Sequence, residues 1–130
     1  MRSPLLPLSL LLVLGALGCS RVHKVGPPEQ DRCARQSTEA MRKNCEELRD
    51  QAFAFARKLA VDDQVCLEGN PIGDGVTSRC RVRAFVADVA QKNVKLEIRD
   101  APPDSKYRPM EDYWFHEAAI ADMYLVGFGF

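Results

Sequence analysis

The first nineteen residues constrain this chain more than any other stretch. Arg2 gives a short positive start. An apolar run from Leu5 to Leu17 follows, interrupted only by Pro7, Ser9 and Gly15, and Ala16-Leu17-Gly18 leads into Cys19. A charged start, an apolar middle and small residues at a cut make a secretory signal peptide over residues 1–18. The run is about 13 residues, short of the roughly 20 that a spanning helix needs. Export sets the redox compartment, and that decides how the cysteines downstream are read.

The cut itself carries a resemblance. Ala16-Leu17-Gly18-Cys19 resembles the lipobox of bacterial lipoproteins, in which the cysteine is acylated and becomes the new N-terminus. The commonest residue three before that cysteine is Leu, whereas here it is Ala16. The resemblance implies lipidation of Cys19 and attachment to a membrane through that lipid. With Ser20 rather than Asp next, it implies the outer membrane, facing the periplasm, and an envelope protein as a partner. Ala16 and Gly18 also satisfy the small-x-small rule of ordinary signal peptidase, so plain secretion stays open. Parity favours the lipid. There are five cysteines, at 19, 33, 45, 66 and 80. An odd number in an exported chain leaves one thiol to explain, and acylation of Cys19 leaves four to pair.

Removing residues 1–18 from 130 leaves 112, one small domain and a tether. Arg2 departs with the signal, so 18 basic residues become 17 against 18 acidic, a formal charge of −1. No basic excess points to nucleic acid, which is excluded as a partner. Residues 19–30 read as the tether, because Gly26-Pro27-Pro28 continues neither helix nor ladder. Residues 31–130 are then a single disulfide-stapled domain.

Within it, residues 38–61 form the clearest helix. Met41, Cys45, Leu48, Ala52, Phe55 and Leu59 recur at spacings of four and three. Ser37 or Thr38 can cap its start, and Asp62-Asp63 oppose its continuation. Strand signals follow at Gln64–Glu68, Ser78–Val89 and Val94–Arg99, with a turn-rich loop over 69–75 and a hairpin turn at Gln91-Lys92-Asn93. Val94, Leu96 and Ile98 alternate with Lys95, Glu97 and Arg99. The long strand is either bulged near Ala84 or covered on both faces in its second half. Arg81 or Arg83 can face Glu97. After Pro102-Pro103 the periodicity is ambiguous, and the reading is a short helix over Glu111–Ala121, then a terminal strand over Met123–Phe130. The glycines at 127 and 129 suggest close approach by another group. The fold class is α+β, one long helix on an antiparallel sheet of about four strands with a short second helix. The alternative is a small barrel of the oligonucleotide-binding type with an added N-terminal helix.

Cys33, Cys45, Cys66 and Cys80 lack the close pairs that pre-form a metal site, so disulfides are expected and neither metal nor cofactor. Four cysteines allow three pairings. Cys33–Cys45 with Cys66–Cys80 is favoured. Within one helix the first two would lie about 18 Å apart, so the helix must start near Thr38 with Cys33 folded back. Strand parity argues against the second pair, since Val65 and Leu67 pointing inward would turn Cys66 outward while Cys80 points in.

Catalytic signals are thin. His23 falls in the tether, and His116 has no second histidine at metal spacing. Glu111, Asp112, Glu117 and Asp122 read as an acidic helix face before they read as a hydrolytic carboxylate pair. No catalytic residue is assigned, and the chain reads as a non-catalytic binding or assembly module. The alternatives are a secreted disulfide-bonded inhibitor or ligand, and a small hydrolase using Glu111–His116. Seven of the ten aromatics lie after residue 106. Core packing is the first reading, with Trp114 and Phe128 in the core. A binding patch of Trp114, His116, Phe128 and Phe130 is the second.

Overall fold

The computed structural model describes residues 22–69, 73–74 and 79–130. Cys19, the apolar segment before it and most of the 69–75 loop lie outside them. The described residues form an α+β fold with one open, twisted sheet and two helices. In chain order the strands are β1 (Val22–Val25), β2 (Gln64–Gly69), β3 (Gly73–Asp74), β4 (Cys80–Ala90), β5 (Asn93–Asp100) and β6 (Asp112–His116). The helices are α1 (Glu39–Arg57) and α2 (Glu117–Gly127), and a 3-10 turn spans Cys33–Arg35. Strand order across the sheet is β1-β6-β5-β4-β2-β3. All pairings are antiparallel except β1 with β6.

Six strands rather than about four arise because short strands extend both edges. β3 adds two residues beside β2. β1 lies inside the stretch expected to be tether: Val22–Val25 pairs in parallel with Asp112–Phe115. The unclosed edges rule out the barrel alternative. Gly26-Pro27-Pro28 ends β1, since proline supplies no ladder donor.

Helix α1 follows its sequence signals. Thr38 sits in extended backbone and its Oγ1 accepts from the Met41 amide at 3.1 Å, satisfying one of the orphan donors of the first turn. Cys45, Ala52 and Ala56 are buried along one stripe, with Leu59 just past the helix end. Met41, expected on that stripe, is 44% exposed because it lies beyond the sheet's reach. The chain leaves through Asp62 at φ 76°, a left-handed conformation that Asp tolerates better than most. The Asp62 amide donates to the Val86 carbonyl and the Val86 amide to that of Asp63, which ties the helix exit to the sheet.

The inner face of the sheet carries Val65, Val82, Ala84, Val86, Val94, Leu96, Ile98, Tyr113 and Phe115, packed with Ala56, Leu59, Ala119 and Ile120 from the helices. The long strand bulges against β5 at Ala87, and the irregularity beside Ala84 lies on β5 and not on the long strand. Pairing shifts between Arg83↔Asp100 and Ala84↔Ile98, leaving Arg99 as the extra residue, and again at Ala87. These shifts keep Val82, Ala84 and Val86 on the inner face opposite β5. Arg81 and Arg83 do not meet Glu97. Arg81 pairs with Asp104 at 2.8 Å and Arg83 lies 3.9 Å from Asp100, while Phe85 faces Glu97.

The last third reverses the expected order. The strand is Asp112–His116 and the helix follows it. Tyr113 and Phe115 alternate with Asp112, Trp114 and His116, a period of two too short to stand out beside the helical spacings around it. From Ala118 to Val126 the chain is apolar almost all round, which hides a helix that uses Ile120, Ala121 and Leu125 as its buried side. Gly129, at φ +94°, closes the turn after α2 and has open space around its missing side chain. Its role is the backbone conformation and not close approach.

Both disulfides form, Cys33–Cys45 and Cys66–Cys80, with Cα separations of 5.4 and 5.7 Å. Cys33 folds back from the 3-10 turn onto α1. The parity obstacle to the second pair is removed by register shifts between β2 and β4 on either side of Glu68. Two disulfides are compatible with an extracytoplasmic or secreted protein. No described helix is long and apolar enough to cross a membrane.

One ion pair joins the helices to each other. Arg57 of α1 donates through Nε and an Nη to the two carboxylate oxygens of Glu117 on α2, at 3.1 and 3.0 Å. Glu117 is buried, and the Arg57 hydrogen bonds hold its carboxyl below the ordinary value of 4.5 against the opposing effect of burial. A depressed carboxyl contributes stability above its unfolded pKa and loses it as pH falls through the folded one. Urea midpoints of the wild type should therefore fall on acidification from about pH 4.5 downward. Those of Glu117→Gln should be lower at neutral pH and meet the wild type in acid. A gap between the two that stays constant from neutral to acid pH would show that the charge is not what matters.

Candidate functional site

The helices cover one face of the sheet. Among the described residues no element covers the other, whose side chains are set by alternation. Trp114 stands at its centre near the β1 edge. Its neighbours in register are Lys24 on β1 and Lys95 on β5. The Lys95 ammonium lies 5.9 Å from the indole centroid and 3.6 Å from the Asp112 carboxylate. Further across, Arg99 lies over the Phe85 ring at 4.8 Å. Trp114 is thus half-buried on the open face, and the ring its strand buries in the core is Phe115, fully enclosed.

His116 is on the same face, paired in register with Asn93. It is also the N-cap of α2, and its Nδ1 accepts from the Ala118 amide at 3.0 Å. That bond places the proton of the neutral ring on Nε2, which is left as a donor. Lys24, Asn93, Trp114 and His116 line an open cavity of about 490 Å³, bordered also by Pro27 and Ala90. Among the described residues, the Lys24 ammonium, the Asn93 amide and the indole N–H have no hydrogen-bonding partner in the protein.

A second cavity, of about 390 Å³, lies between the Pro27-Pro28 segment, α1 and α2. Its charges are already committed. Arg32 makes a bidentate pair with Asp122 at 2.8 and 3.1 Å and donates to the Phe130 carbonyl at 3.2 Å, and Arg49 holds Asp31 at 2.6 Å. This cleft closes the domain around its C-terminus and offers a ligand little.

The four aromatic and imidazole residues expected to bind do not gather. Trp114 and His116 share the first cavity. Phe128 stands at the far end of α2, 51% exposed with its ring tilted against Tyr124 at 5.1 Å, which corrects its assignment to the core. Phe130 packs against the Cys33–Cys45 disulfide with Leu48 and Leu125. Helix α2 carries both of these phenylalanines away from β6, so a patch drawn from sequence proximity is split in two.

The carboxylates and the histidine proposed for hydrolysis also separate. Glu111 turns to the inner side, where its Oε2 is 3.0 Å from His23 Nε2 and 3.3 Å from the Tyr113 hydroxyl. Glu117 is held by Arg57 and Asp122 by Arg32. His116 faces the other way. His23, expected in the tether, stacks on Tyr113 at 4.4 Å and helps to seat β1. Tyr107 closes that cluster edge-on to Tyr113, and burial pushes its hydroxyl up to about 12, so it is neutral at physiological pH. Among the described residues no group of three His, Cys, Asp or Glu side chains is placed to hold a metal ion.

Sequence reasoning missed Lys24 and Asn93. Lys24 was hidden in a supposed linker, and Asn93 in a turn. Val22–Val25 has its two apolar residues at its ends and no alternation, so the sequence carried no signal that could have found either. Compared with family models, curated proteins and solved structures, the chain shows no significant match to any of them.

Proposed function

We propose that this protein is a membrane-tethered envelope lipoprotein that faces the periplasm, and that it is a non-catalytic binding module whose site is the cavity around Trp114. The observation that carries the binding reading is the cavity itself: an indole on a sheet face that no other described element covers, beside polar groups without a hydrogen-bonding partner among the described residues. The tethering reading rests on Ala16-Leu17-Gly18-Cys19 and on the four later cysteines pairing among themselves, which leaves Cys19 as the odd one. The outer membrane is the proposed location because Ser20 follows Cys19.

The position of β1 adds a consequence. If Cys19 is the mature N-terminus, the sheet begins three residues later, and three residues span at most about 10 Å. The domain then sits close to the bilayer, without a long spacer. The cavity lies at the Val25 end of β1, the end further from the lipid.

Intact mass of the mature protein tests the tether, since it reports acylation and both disulfides together. Cys19→Ser is expected to move the protein from the membrane to the soluble fraction. A wild type already soluble, with a free α-amine on Cys19, would replace the tether with plain secretion and make the protein a diffusible ligand or inhibitor.

A further inference from the structure

The cavity's donors and acceptors are unbalanced. Lys24 brings a positive charge, and His116 Nε2, the indole N–H and the Asn93 amide bring donors. Among the described residues no carboxylate lines it. The nearest acidic partner in the row, Asp112, is engaged with Lys95 rather than Lys24. Lys24 is exposed and has no acidic partner of its own among the described residues. One wall is aromatic and one is apolar. A volume of about 490 Å³ suits a small molecule or the end of a chain.

We infer that this cavity binds a carboxylate-bearing ligand with a flat, weakly polar flank, the chemistry of a sugar acid, its carboxylate on Lys24 and its flank on the Trp114 ring. The inference rests on the binding-module reading and gives it a ligand class. A carboxylate accepts from an ammonium and from N–H donors at once, so it matches the Lys24 ammonium and the N–H groups of His116, Trp114 and Asn93. A cation would meet Lys24 with repulsion. A neutral, wholly apolar ligand would bury those donors unpaired. The same carboxylate chemistry is also found at a peptide C-terminus, which the test separates from a sugar acid.

Trp114 is the only tryptophan in the chain, so indole fluorescence reports this cavity directly. The full mature protein is titrated with glucuronate, with glucose as the neutral counterpart, and with acetyl-Ala-Ala as a peptide carboxylate. Glucuronate is expected to give a saturable change with a dissociation constant of about 1 mM or tighter, and glucose none. Lys24→Ala should weaken glucuronate about tenfold, with Lys24→Arg retaining most of it. Lys58→Ala, an exposed lysine outside the cavity, should leave it unchanged. Far-UV circular dichroism of each variant checks the fold, which Lys24 on an exposed edge should not disturb. Saturation by acetyl-Ala-Ala alone, still dependent on Lys24, would support the carboxylate site and overturn the sugar assignment. Equal binding of glucose and glucuronate, indifferent to Lys24→Ala, would overturn the anionic class and leave the cavity as a binding site. No response to any of the three overturns the inference outright, and the tether is then judged separately by Cys19→Ser.

Discussion

Phe115→Ala is expected to cost the fold about 3–5 kcal/mol, the usual penalty for emptying a buried ring site. Phe115 has no exposed surface and lies at the junction of β6, β5 and Tyr107. Its neighbours cannot close the void cheaply, because Leu96, Ile98 and Val94 are fixed by the β5 ladder and Ile120 by α2. Small domains have about 5–15 kcal/mol in hand, so this one change removes a large share. Phe128→Ala is the paired control. With about half its surface already in water, it should change the urea midpoint little. Equal losses from the two variants would place Phe128 in the core and contradict the fold of α2.

Opening the Cys33–Cys45 disulfide should cost about 2–4 kcal/mol, through the entropy returned to the unfolded chain. The bond joins positions 12 apart in sequence, a short loop by this measure. Its loss should nevertheless reach further than the loop. Cys33 and Cys45 form one small cluster with Leu125, Leu48 and Phe130, while Arg32 beside them holds Asp122 and the Phe130 carbonyl. The double variant Cys33→Ala/Cys45→Ala is therefore expected to show faster hydrogen exchange in the last turn of α2 as well as a lower urea midpoint. Thiol titration of the unfolded, unreduced wild type should find none of the four downstream cysteines. Four reactive thiols there would remove both staples at once.

The two results bear on different links of one chain of cause. The Phe115 site belongs to the main core, which holds β6 in place and so sets Trp114 on the opposite face of the same strand. The Cys33–Cys45 cluster belongs to the second, smaller core, which secures the C-terminus against α1. Neither contributes a group to the cavity. A variant that loses stability at either site without altering glucuronate binding per folded molecule would separate architecture from recognition.

How much was legible beforehand varied with how local the signal was. Helix α1 and β5 were legible because each repeats a single period over enough residues, 3.6 in one and two in the other. Ser37 and Thr38 are equally legible as caps, and the extended backbone at Thr38 decides between them. Cys33–Cys45 was one of the pairings open to four cysteines, and the helical rise per residue made legible only its consequence, a helix that starts near Thr38. By contrast Asp112–His116 is five residues long, and its alternation is drowned by apolar residues on both sides. Phe128 was placed in the core because it alternates with Tyr124 and Val126 on a strand that does not exist. Lys24 and Asn93 carried no signal of their own. They are ordinary polar residues until β1 pairs with β6 and the β4–β5 turn is closed.

The sequence alone determined the odd count of five cysteines, the long amphipathic helix and the α+β class. Each of these depends on composition or on neighbours a few residues apart. Tertiary structure decided the rest. Only strand pairing reveals that Val22–Val25 is an edge and not a linker, because a parallel ladder joins residues about ninety positions apart. Only the register shifts bring Cys66 and Cys80 together against strict alternation. Only the packing of α1 and α2 on one face leaves the other free of any described element, and with it Trp114, His116, Asn93 and Lys24 around a single cavity. Contacts of that range depend on which surfaces are buried against each other, and no local period records them.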